Sequence, residues 1–208
     1  MPDPANRLTR FGLLRHAATE WNLAKRIQGR SDIPLCRQGR GDADAWGDRL
    51  QVLPWDRVVT SPLERARETG ARIDAGLGLP LTVDARLGEQ SWGDWEGRAL
   101  DWIEARLASL PPGPATRGWT FCPPGGESRR RVWRRSQAAL VELSRQFPGE
   151  TLLVVVHGGV LKALIYRLYR RAFMPEEKRL LKKHRLHWVF GDGRRLWPGA
   201  VNALSLTG

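Results

Sequence analysis

The chain has 208 residues, which is enough for one ordinary domain with a full hydrophobic core. Its apolar content of 41% and its charged content of 27% are typical of a soluble globular protein. It lacks the apolar run of about 18 residues that a transmembrane helix requires, which excludes insertion into a membrane through such a helix. The formal net charge of +12 does not select a partner, because a basic surface can steer anionic substrates, bind nucleic acid or simply be solvated.

The cysteines and the first residues indicate the compartment. The two cysteines, Cys36 and Cys122, lie in neither a CxxC pair nor a cluster of metal ligands, so we expect neither a disulfide framework nor structural zinc. Residues 1–6 contain no apolar segment typical of a signal peptide. We therefore expect a protein of the reducing cytoplasm.

The first apolar segment is followed by residues that can bind an anion. Residues 11–14 are typical of a buried strand, and Arg15 and His16 follow them directly. In open α/β sheets, ligands bind just beyond the carboxyl ends of the strands. Arginine offers a planar fork of donors to a phosphate, and histidine can act as a nucleophile, so this segment is a candidate phosphate site.

Two further segments repeat this arrangement. The continuous apolar run at 152–156 predicts a buried parallel strand, which ends at His157 beside two glycines and the start of a helix. A helix N-terminus attracts anions. A shorter strand at 58–60 leads into a helix that begins at Pro62 and carries Arg65 in its first turns. Three strand ends with two histidines and two arginines can therefore converge on one pocket.

The remaining pattern alternates strands with helices. Helices are predicted at about residues 37–51, 63–75, 98–108, 127–147 and 160–166, and further strands at 79–83 and 201–206. Residues 111–126 are rich in proline and glycine and are expected to form a loop. This order predicts a three-layer α/β/α fold, with a mainly parallel central sheet and helices on both faces. We expect a single domain over residues 1–208.

The residues at the strand ends resemble a known family. The string Arg15-His16-Ala17-Ala18-Thr19-Glu20-Trp21-Asn22 is similar to the signature of the histidine phosphatase superfamily, also called phosphoglycerate mutase-like. The short chain and the Gly126-Glu127-Ser128 block resemble the α-ribazole and broad-specificity phosphatase branch of that superfamily. Further similar blocks follow in the family's order at residues 27–35, 61–69, 87–89, 92–97, 124–128 and 157–159. Ala17 replaces the family's usual glycine, and we expect its methyl group to crowd the backbone near the phosphate without removing a catalytic group.

The resemblance implies a site and a mechanism. His16 would attack phosphorus and form a phosphohistidine, while Arg15, Arg65 and His157 would hold the phosphoryl oxygens. Glu89 matches the family's acidic proton donor to the leaving group. The resemblance also assigns substrate-binding residues: Asn22, Gln28, Gly29, Ser61 and Gly158. It implies no metal and no other cofactor.

Three functions remain open at this point. The first is a phosphatase that hydrolyses small phosphate monoesters, such as α-ribazole 5′-phosphate or a range of sugar and metabolite phosphates. The second is a cofactor-dependent phosphoglycerate mutase, which the resemblance makes less fitting because such mutases are usually longer and need priming by a bisphosphate. The third is a non-catalytic basic binding module on the same fold, and salt-sensitive nucleic-acid binding without turnover would favour it.

Other polar and aromatic groups have ordinary interpretations. The arginine run at 129–135 and the basic segment from Lys178 to Arg185 are expected to be solvated, since no nucleic-acid motif accompanies them. His184 and His187 are expected to be surface or structural residues, and Trp119 to line the substrate pocket. Loops around residues 24–36, 90–120 and 170–195 should set specificity. The physiological substrate and the oligomeric state stay open, with a homodimer as one option.

Overall fold

The computed structural model describes residues 8–111, 113, 116–174 and 176–207. The strands are β1 (Thr9–Arg15), β2 (Arg57–Thr60), β3 (Leu81–Val83), β4 (Thr151–Val156), β5 (Arg185–Gly191), β6 (Leu196–Pro198) and β7 (Leu204–Ser205). The helices are α1 (Glu20–Leu23), α2 (Arg37–Leu50), α3 (Glu64–Asp74), α4 (Leu100–Ala108), α5 (Arg129–Gln146) and α6 (Gly158–Leu168). The predicted helices are thus confirmed, with small differences at their ends.

The strands pair in the order β3-β2-β4-β1-β5-β6, and β7 pairs with the beginning of β5. The strands β3, β2, β4 and β1 are mutually parallel, whereas β5 lies antiparallel to β1. The mainly parallel sheet is therefore confirmed. Because β4 lies between β2 and β1, the carboxyl ends of these three strands meet at one edge of the sheet.

Strand β4 is buried along its whole length because helices cover both faces of the sheet. Leu152, Val154 and Val156 belong to an apolar cluster with residues of α5 and α6. Leu153 and Val155 point to the opposite face and join a second cluster with residues of α2 and α3. Successive side chains of a strand alternate between faces, so a continuous apolar run is what a doubly covered strand requires. This confirms the three layers.

Helix α5 shows how local sequence sets an element's bounds. Its N-cap is Ser128, whose Oγ accepts the backbone N–H of Arg131 at 3.3 Å. Its apolar stripe, which includes Val132, Leu140 and Leu143, packs in the first cluster.

Within the described residues, no helix is both long and apolar enough to cross a bilayer.

The C-terminal part differs from the sequence-based expectation. Residues 170–195 were expected to form loops, but residues 185–191 form β5, which pairs with β1 along most of its length. The expected last strand at 201–206 is confirmed only as the two residues of β7. In the loop expected at 111–126, the described residues form neither helix nor strand, and residues 112, 114 and 115 lie outside the described part.

His187 on β5 is a structural histidine, as expected. Its side chain is 1% exposed, and its Nδ1 accepts the backbone N–H of Asn202 at 3.0 Å. Burial lowers the pKa of His187 from 6.5 to about 4, because a charged imidazole would lose its hydration. The ring is therefore neutral at physiological pH.

This depressed pKa predicts a pH-dependent stability. As the pH falls below about 6.5, the unfolded chain takes up a proton at His187 before the folded protein does. The free energy of unfolding should then fall by about 1.4 kcal/mol per pH unit from this residue alone, until the pH approaches the folded pKa of about 4. In His187→Gln the side-chain carbonyl can still accept the Asn202 N–H but does not titrate. The free energy of unfolding, measured with urea between about pH 7 and about pH 5, should therefore differ between the wild type and His187→Gln by an amount that decreases as the pH falls. A gap that stays constant would contradict the assignment.

Candidate active site

The three predicted strand ends converge. His16 follows β1, Ser61 follows β2, and His157 follows β4. The ring centroids of His16 and His157 are 5.1 Å apart, and the Oγ of Ser61 lies 2.6 Å from the Nε2 of His157. The parallel sheet thus brings together side chains that are far apart in the sequence.

His16 is held as a neutral imidazole, and one of its nitrogens forms no hydrogen bond with the described residues. Its Nδ1 lies 2.7 Å from the carbonyl oxygen of Ala17, and because a carbonyl only accepts, Nδ1 carries the proton. The lone pair is therefore on Nε2. Burial first, and then the charges of Arg15 and Arg65, hold the pKa of His16 well below its usual range. The arrangement suits a nitrogen nucleophile at neutral pH.

His157 presents a buried N–H. The Oγ of Ser61 already accepts the N–H of Leu63 at 3.2 Å, and its own proton has no acceptor other than the Nε2 of His157 in the part of the chain described. The proton of His157 therefore resides on Nδ1, which is buried and has no hydrogen-bond partner among the described residues. Burial, and then His16 and Arg65, lower the pKa of His157 well below its usual range. A buried donor without a partner is costly, and an anionic ligand would satisfy it.

Arg65 is completely buried yet keeps a free donor. Its Nη1 donates to the carbonyl of Ser31 and its Nη2 to the carbonyl of Gly29, both at 2.8 Å. Its Nε is buried and has no partner among the described residues. Burial lowers the pKa of Arg65, whereas the carboxylates of Glu89 and Asp32 raise it. The two carbonyls fix the guanidinium without neutralising its charge.

Arg15 is exposed at the end of β1. Solvent reaches its side chain, yet the surrounding protein atoms lower the pKa of Arg15 by desolvation, while Glu89 raises it. A Cβ atom on Gly158 would lie 3.7 Å from the Nε of Arg15, so the guanidinium lies over the first turn of α6. It is therefore available to a bound anion.

The carboxyl group of Glu89 is hydrogen-bonded to the beginning of α6. One carboxyl oxygen accepts the N–H of Gln90 at 2.8 Å, and the other accepts the N–H of Gly159 at 3.1 Å. Each oxygen keeps a second lone pair. A Cβ atom at Gly159 would collide with the Glu89 carboxyl, so glycine there allows the carboxyl to approach the helix. These contacts place Glu89 next to the helix that follows His157.

Arg135 and Glu127 support the loop that carries Glu89. Arg135 donates to the carbonyls of Arg86 and Gly88, both at 2.6 Å, and to that of Glu89 at 3.0 Å. Its Nε and Nη2 also bind the two oxygens of Glu127, at 2.8 and 2.9 Å. Glu127 is only 5% exposed, so this is a buried, bidentate ion pair.

Sequence analysis missed this pair. The expectation that the arginine run is solvated is wrong for Arg135 and also for Arg129, which packs over the rings of Phe121 and Phe173. Arg131 and Arg134 are exposed, as expected. Glu127 in the Gly-Glu-Ser block could have indicated this ion pair, because a carboxylate that becomes buried requires a cationic partner.

The predicted substrate-binding residues have different surroundings. Gln28 is buried, and its Oε1 has no partner among the described residues. Gly29 has a φ of +54°, and a Cβ there would collide with the side chain of Glu96, which explains the glycine. Asn22 forms a capping box with Thr19, accepting its N–H at 3.2 Å, so its contacts are local to α1.

The Ala17 methyl group packs in the core. Ala17 is buried within the apolar cluster that includes Leu14 and Leu35, on the face of the sheet covered by α2 and α3. Its N–H donates to the Oγ1 of Thr69 at 3.1 Å. The expected crowding near the phosphate is therefore replaced by ordinary core packing.

Trp119 packs against the segment that follows α6. Its indole N–H donates to the carbonyl of Arg171 at 2.9 Å, and its ring meets that of Phe173 at 4.8 Å. It lines a cavity of about 370 Å³ together with Arg117, Arg130 and neighbouring residues.

Among the described residues, no group of three histidines, cysteines or carboxylates is placed to hold a metal ion.

Comparisons with known proteins agree with this geometry. The profile of the histidine phosphatase superfamily (branch 1) matches residues 11–189. Glucosyl-3-phosphoglycerate phosphatase of Mycobacterium tuberculosis is 34% identical over 170 residues, covering 76% of this chain and 74% of that protein. The probable phosphoglycerate mutase GpmB of Klebsiella pneumoniae is 34% identical over 161 residues, covering 74% of this chain and 71% of that protein.

Solved structures show the same architecture. The structure described as Bacillus stearothermophilus YhfR superimposes with a TM-score of 0.82 at 28% identity, covering 95% of this chain and 98% of that one. The fold, the converging strand ends and the profile match lead to the same assignment. The chain belongs to branch 1 of the histidine phosphatase superfamily.

Proposed function

We propose that the protein is a phosphatase that hydrolyses small phosphate monoesters through a phosphohistidine on His16. The observation that carries this proposal is the neutral His16 ring, whose Nδ1–H is hydrogen-bonded to the carbonyl of Ala17 and whose Nε2 has no partner among the described residues. Around it lie the cationic groups of Arg15 and Arg65 and the unpartnered N–H of His157. A nucleophile surrounded by donors suits the attack on a phosphate dianion.

The first step transfers the phosphoryl group to the enzyme. The Nε2 lone pair of His16 forms the bond to phosphorus while the bond from phosphorus to the ester oxygen breaks. The three equatorial oxygens are stabilised by Arg15, the Nε–H of Arg65 and the Nδ1–H of His157. A protonated Glu89 donates its proton to the departing alkoxide, which leaves as an alcohol.

The second step releases phosphate. The Glu89 carboxylate accepts a proton from water as that water attacks phosphorus, and the bond between phosphorus and Nε2 breaks. Inorganic phosphate leaves and His16 returns to its neutral form, with Glu89 protonated for the next cycle. Positive charge comes from the arginines, so the proposed reaction requires no metal and no other cofactor.

The remaining features support a single domain acting in a reducing compartment. The sheet and both apolar clusters draw on residues from β1 to β7, which supports one domain over residues 1–208. Both cysteines are free, with Cys36 buried and Cys122 exposed, which supports a cytoplasmic location. The proposed partner is a small phosphorylated metabolite.

The first test is hydrolysis of p-nitrophenyl phosphate in the presence of EDTA. The wild-type protein should turn over without added metal. His16→Asn keeps an N–H that can donate to the carbonyl of Ala17 but has no nucleophilic nitrogen, so its activity should fall by at least about a thousandfold. Acid-labile phosphoenzyme, trapped with labelled phosphate ester, should form only in the wild type.

Arg194→Gln is the control, because Arg194 is exposed beyond the end of β5, where Gly191 pairs with Thr9 at the edge of the sheet opposite the candidate site. It should keep wild-type turnover. Phosphoenzyme that persists in His16→Asn would refute the nucleophile assignment. Turnover that appears only after priming with bisphosphoglycerate, as isomerisation rather than release of phosphate, would replace the phosphatase with a mutase.

Glu89→Gln tests the proton donor. An amide at this position cannot supply a proton, so hydrolysis of an alkyl phosphate, whose leaving group is poor, should fall by about a hundredfold or more. Hydrolysis of p-nitrophenyl phosphate should fall much less, because nitrophenolate leaves without protonation. Steady-state kcat values for the two substrates measure the difference, and equal losses would argue against proton donation by Glu89.

Arg135→Lys tests whether Arg135 holds the loop that carries Glu89 in place. A lysine can still pair with Glu127 but cannot bind the carbonyls of Arg86, Gly88 and Glu89 together, so the loop should lose its fixed position. The kcat for the alkyl phosphate should fall about tenfold, with little further loss when the change is added to Glu89→Gln. Arg134→Lys, on the exposed side of α5, is the control and should behave as wild type. Fully additive losses would show that Arg135 acts independently of Glu89.

A further inference from the structure

The carboxyl group of Glu96 connects two loop segments that lie outside the catalytic groups. Glu96 follows a short 3₁₀ turn at Gly93–Trp95 and is partly buried. Its Oε1 accepts the backbone N–H groups of Arg30 and Trp92 at 2.9 and 3.0 Å, and its Oε2 accepts the N–H and the hydroxyl of Ser31 at 3.0 and 2.9 Å. Among the described residues it forms no ion pair. Both oxygens of this carboxylate therefore fix backbone rather than neutralise a cation.

One peptide group connects Glu96 to Arg65. The peptide between residues 29 and 30 donates its N–H to Glu96, and its carbonyl oxygen accepts the Nη2 of Arg65 at 2.8 Å. A trans peptide is planar, with its N–H and its C=O pointing in opposite directions, so the two side chains bind it from opposite sides. Ser31 is used in the same way, because its N–H donates to Glu96 and its carbonyl accepts the Nη1 of Arg65 at 2.8 Å. A movement of this loop away from Glu96 would therefore also move the two carbonyls that hold the guanidinium.

The loop between Glu96 and Arg65 is fixed from both sides. Gly29 has a φ in the left-handed region, at +54°, and a Cβ atom at this position would collide with the carboxyl group of Glu96. On the other side of the loop, the Oδ1 of Asp32 accepts the N–H of Glu64, the first residue of α3, at 2.8 Å. The loop is thus tied both to Glu96 and to the helix that carries Arg65.

The direction of the Nε–H of Arg65 depends on this loop. A guanidinium is planar and rigid, so two hydrogen bonds at its Nη atoms fix the plane in which the Nε–H points. The Nε is buried and has no hydrogen-bond partner among the described residues. Stabilisation of a phosphoryl group requires donors that are in place before the reaction, so a small displacement of this N–H would remove much of its effect.

We propose that Glu96 is a positioning residue for Arg65, which holds the loop of residues 29–31 so that the Nε–H of Arg65 is directed at a phosphoryl oxygen. This inference rests on the proposed phosphatase function and adds a residue to the same site. Glu96 acts through the loop and through Arg65, and does not itself contact the substrate. Its contribution should therefore appear wherever Arg65 binds the phosphoryl group, including the binding of inorganic phosphate, the product.

Glu96→Gln tests this role. The partners of Glu96 named above are all donors, whereas an amide has one acceptor oxygen and an NH2 group that would face N–H groups. The loop should lose at least one attachment, and kcat/KM for p-nitrophenyl phosphate should fall about tenfold. The dissociation constant of inorganic phosphate, measured by isothermal titration calorimetry without any turnover, should rise by a similar factor.

Phosphate affinity separates positioning from a general effect on folding. A variant that only folds less completely would contain fewer binding sites per chain, with the dissociation constant of the remaining sites unchanged. Glu104→Gln is the matched control, because it makes the same change on the exposed side of α4, where the carboxyl group forms no hydrogen bond or ion pair with the described residues. It should keep the wild-type values of both quantities.

Ser31→Ala is a milder change in the same contact. It removes only the hydroxyl bond to Glu96 and keeps the backbone groups of the loop. The dissociation constant of phosphate should rise about threefold. This variant decides the question if Glu96→Gln does not fold.

A double variant shows whether Glu96 acts through Arg65. Arg65→Lys keeps a positive charge but lacks the planar fork that binds both carbonyls. In this background Glu96→Gln should lower kcat/KM by no more than about twofold, since the geometry that Glu96 supports has already been lost.

The outcomes separate the two proposals. An unchanged phosphate dissociation constant in folded Glu96→Gln would overturn the positioning role, and so would an equal change in Glu104→Gln or an undiminished loss in the Arg65→Lys background. A wild-type protein that binds phosphate but hydrolyses no monoester, p-nitrophenyl phosphate included, would instead overturn the proposed function. The comparison of phosphate affinities would then still decide whether Glu96 positions Arg65.

Discussion

The parallel pairing of β4 with its two neighbours is the constraint on which the candidate site depends. The last carbonyls of β4 accept from residues just beyond those neighbours: Val156 accepts the N–H of His16 at 2.9 Å, and Val155 accepts the N–H of Ser61 at 3.3 Å. The ladder therefore continues past the strands and fixes the backbone at the beginning of the site. His157, the next residue of the central strand, then stands beside both. A shift of register by one residue would turn these side chains to the other face of the sheet.

The partners of each arginine determine whether it is structural or available to a ligand. Arg135 is bound by the carboxylate of Glu127, so its charge is compensated and its role is to hold the loop of Glu89. Arg65 is bound by the carbonyls of Gly29 and Ser31, which fix its geometry without forming an ion pair. Burial, together with the charges of Arg15 and Arg65, keeps His16 neutral, because a charged imidazole would lose its hydration and would be repelled by the neighbouring cations. The cations of the candidate anion site thus also favour the neutral form of the proposed nucleophile.

The parts of the fold that sequence predicts well are those where one physical signal dominates. The apolar run of β4 favours a doubly covered strand because it is short and rich in valine, and the strand end at His157 follows from it. Strand β5 was not predicted because its buried apolar residues, Leu186 and Val189, alternate irregularly with a buried histidine. The sequence does not show that His187 can be buried, since the Asn202 N–H that its ring accepts comes close only in the folded chain. Arg135 was missed for a similar reason, since the partner that makes its burial possible becomes adjacent only in the folded chain.

The arginine run of α5 shows why net charge says little about function. Within seven positions, Arg129 is stacked on aromatic rings, Arg131 and Arg134 face solvent, and Arg135 is paired in the interior. Exposed charges are screened within about 8 Å at physiological salt, so they add little at the site. A desolvated cation acts through a low dielectric and at short range. The proposed selectivity of the candidate site for an anion therefore depends on the few cations that face it and form no ion pair, and these are placed by the backbone rather than by the overall composition.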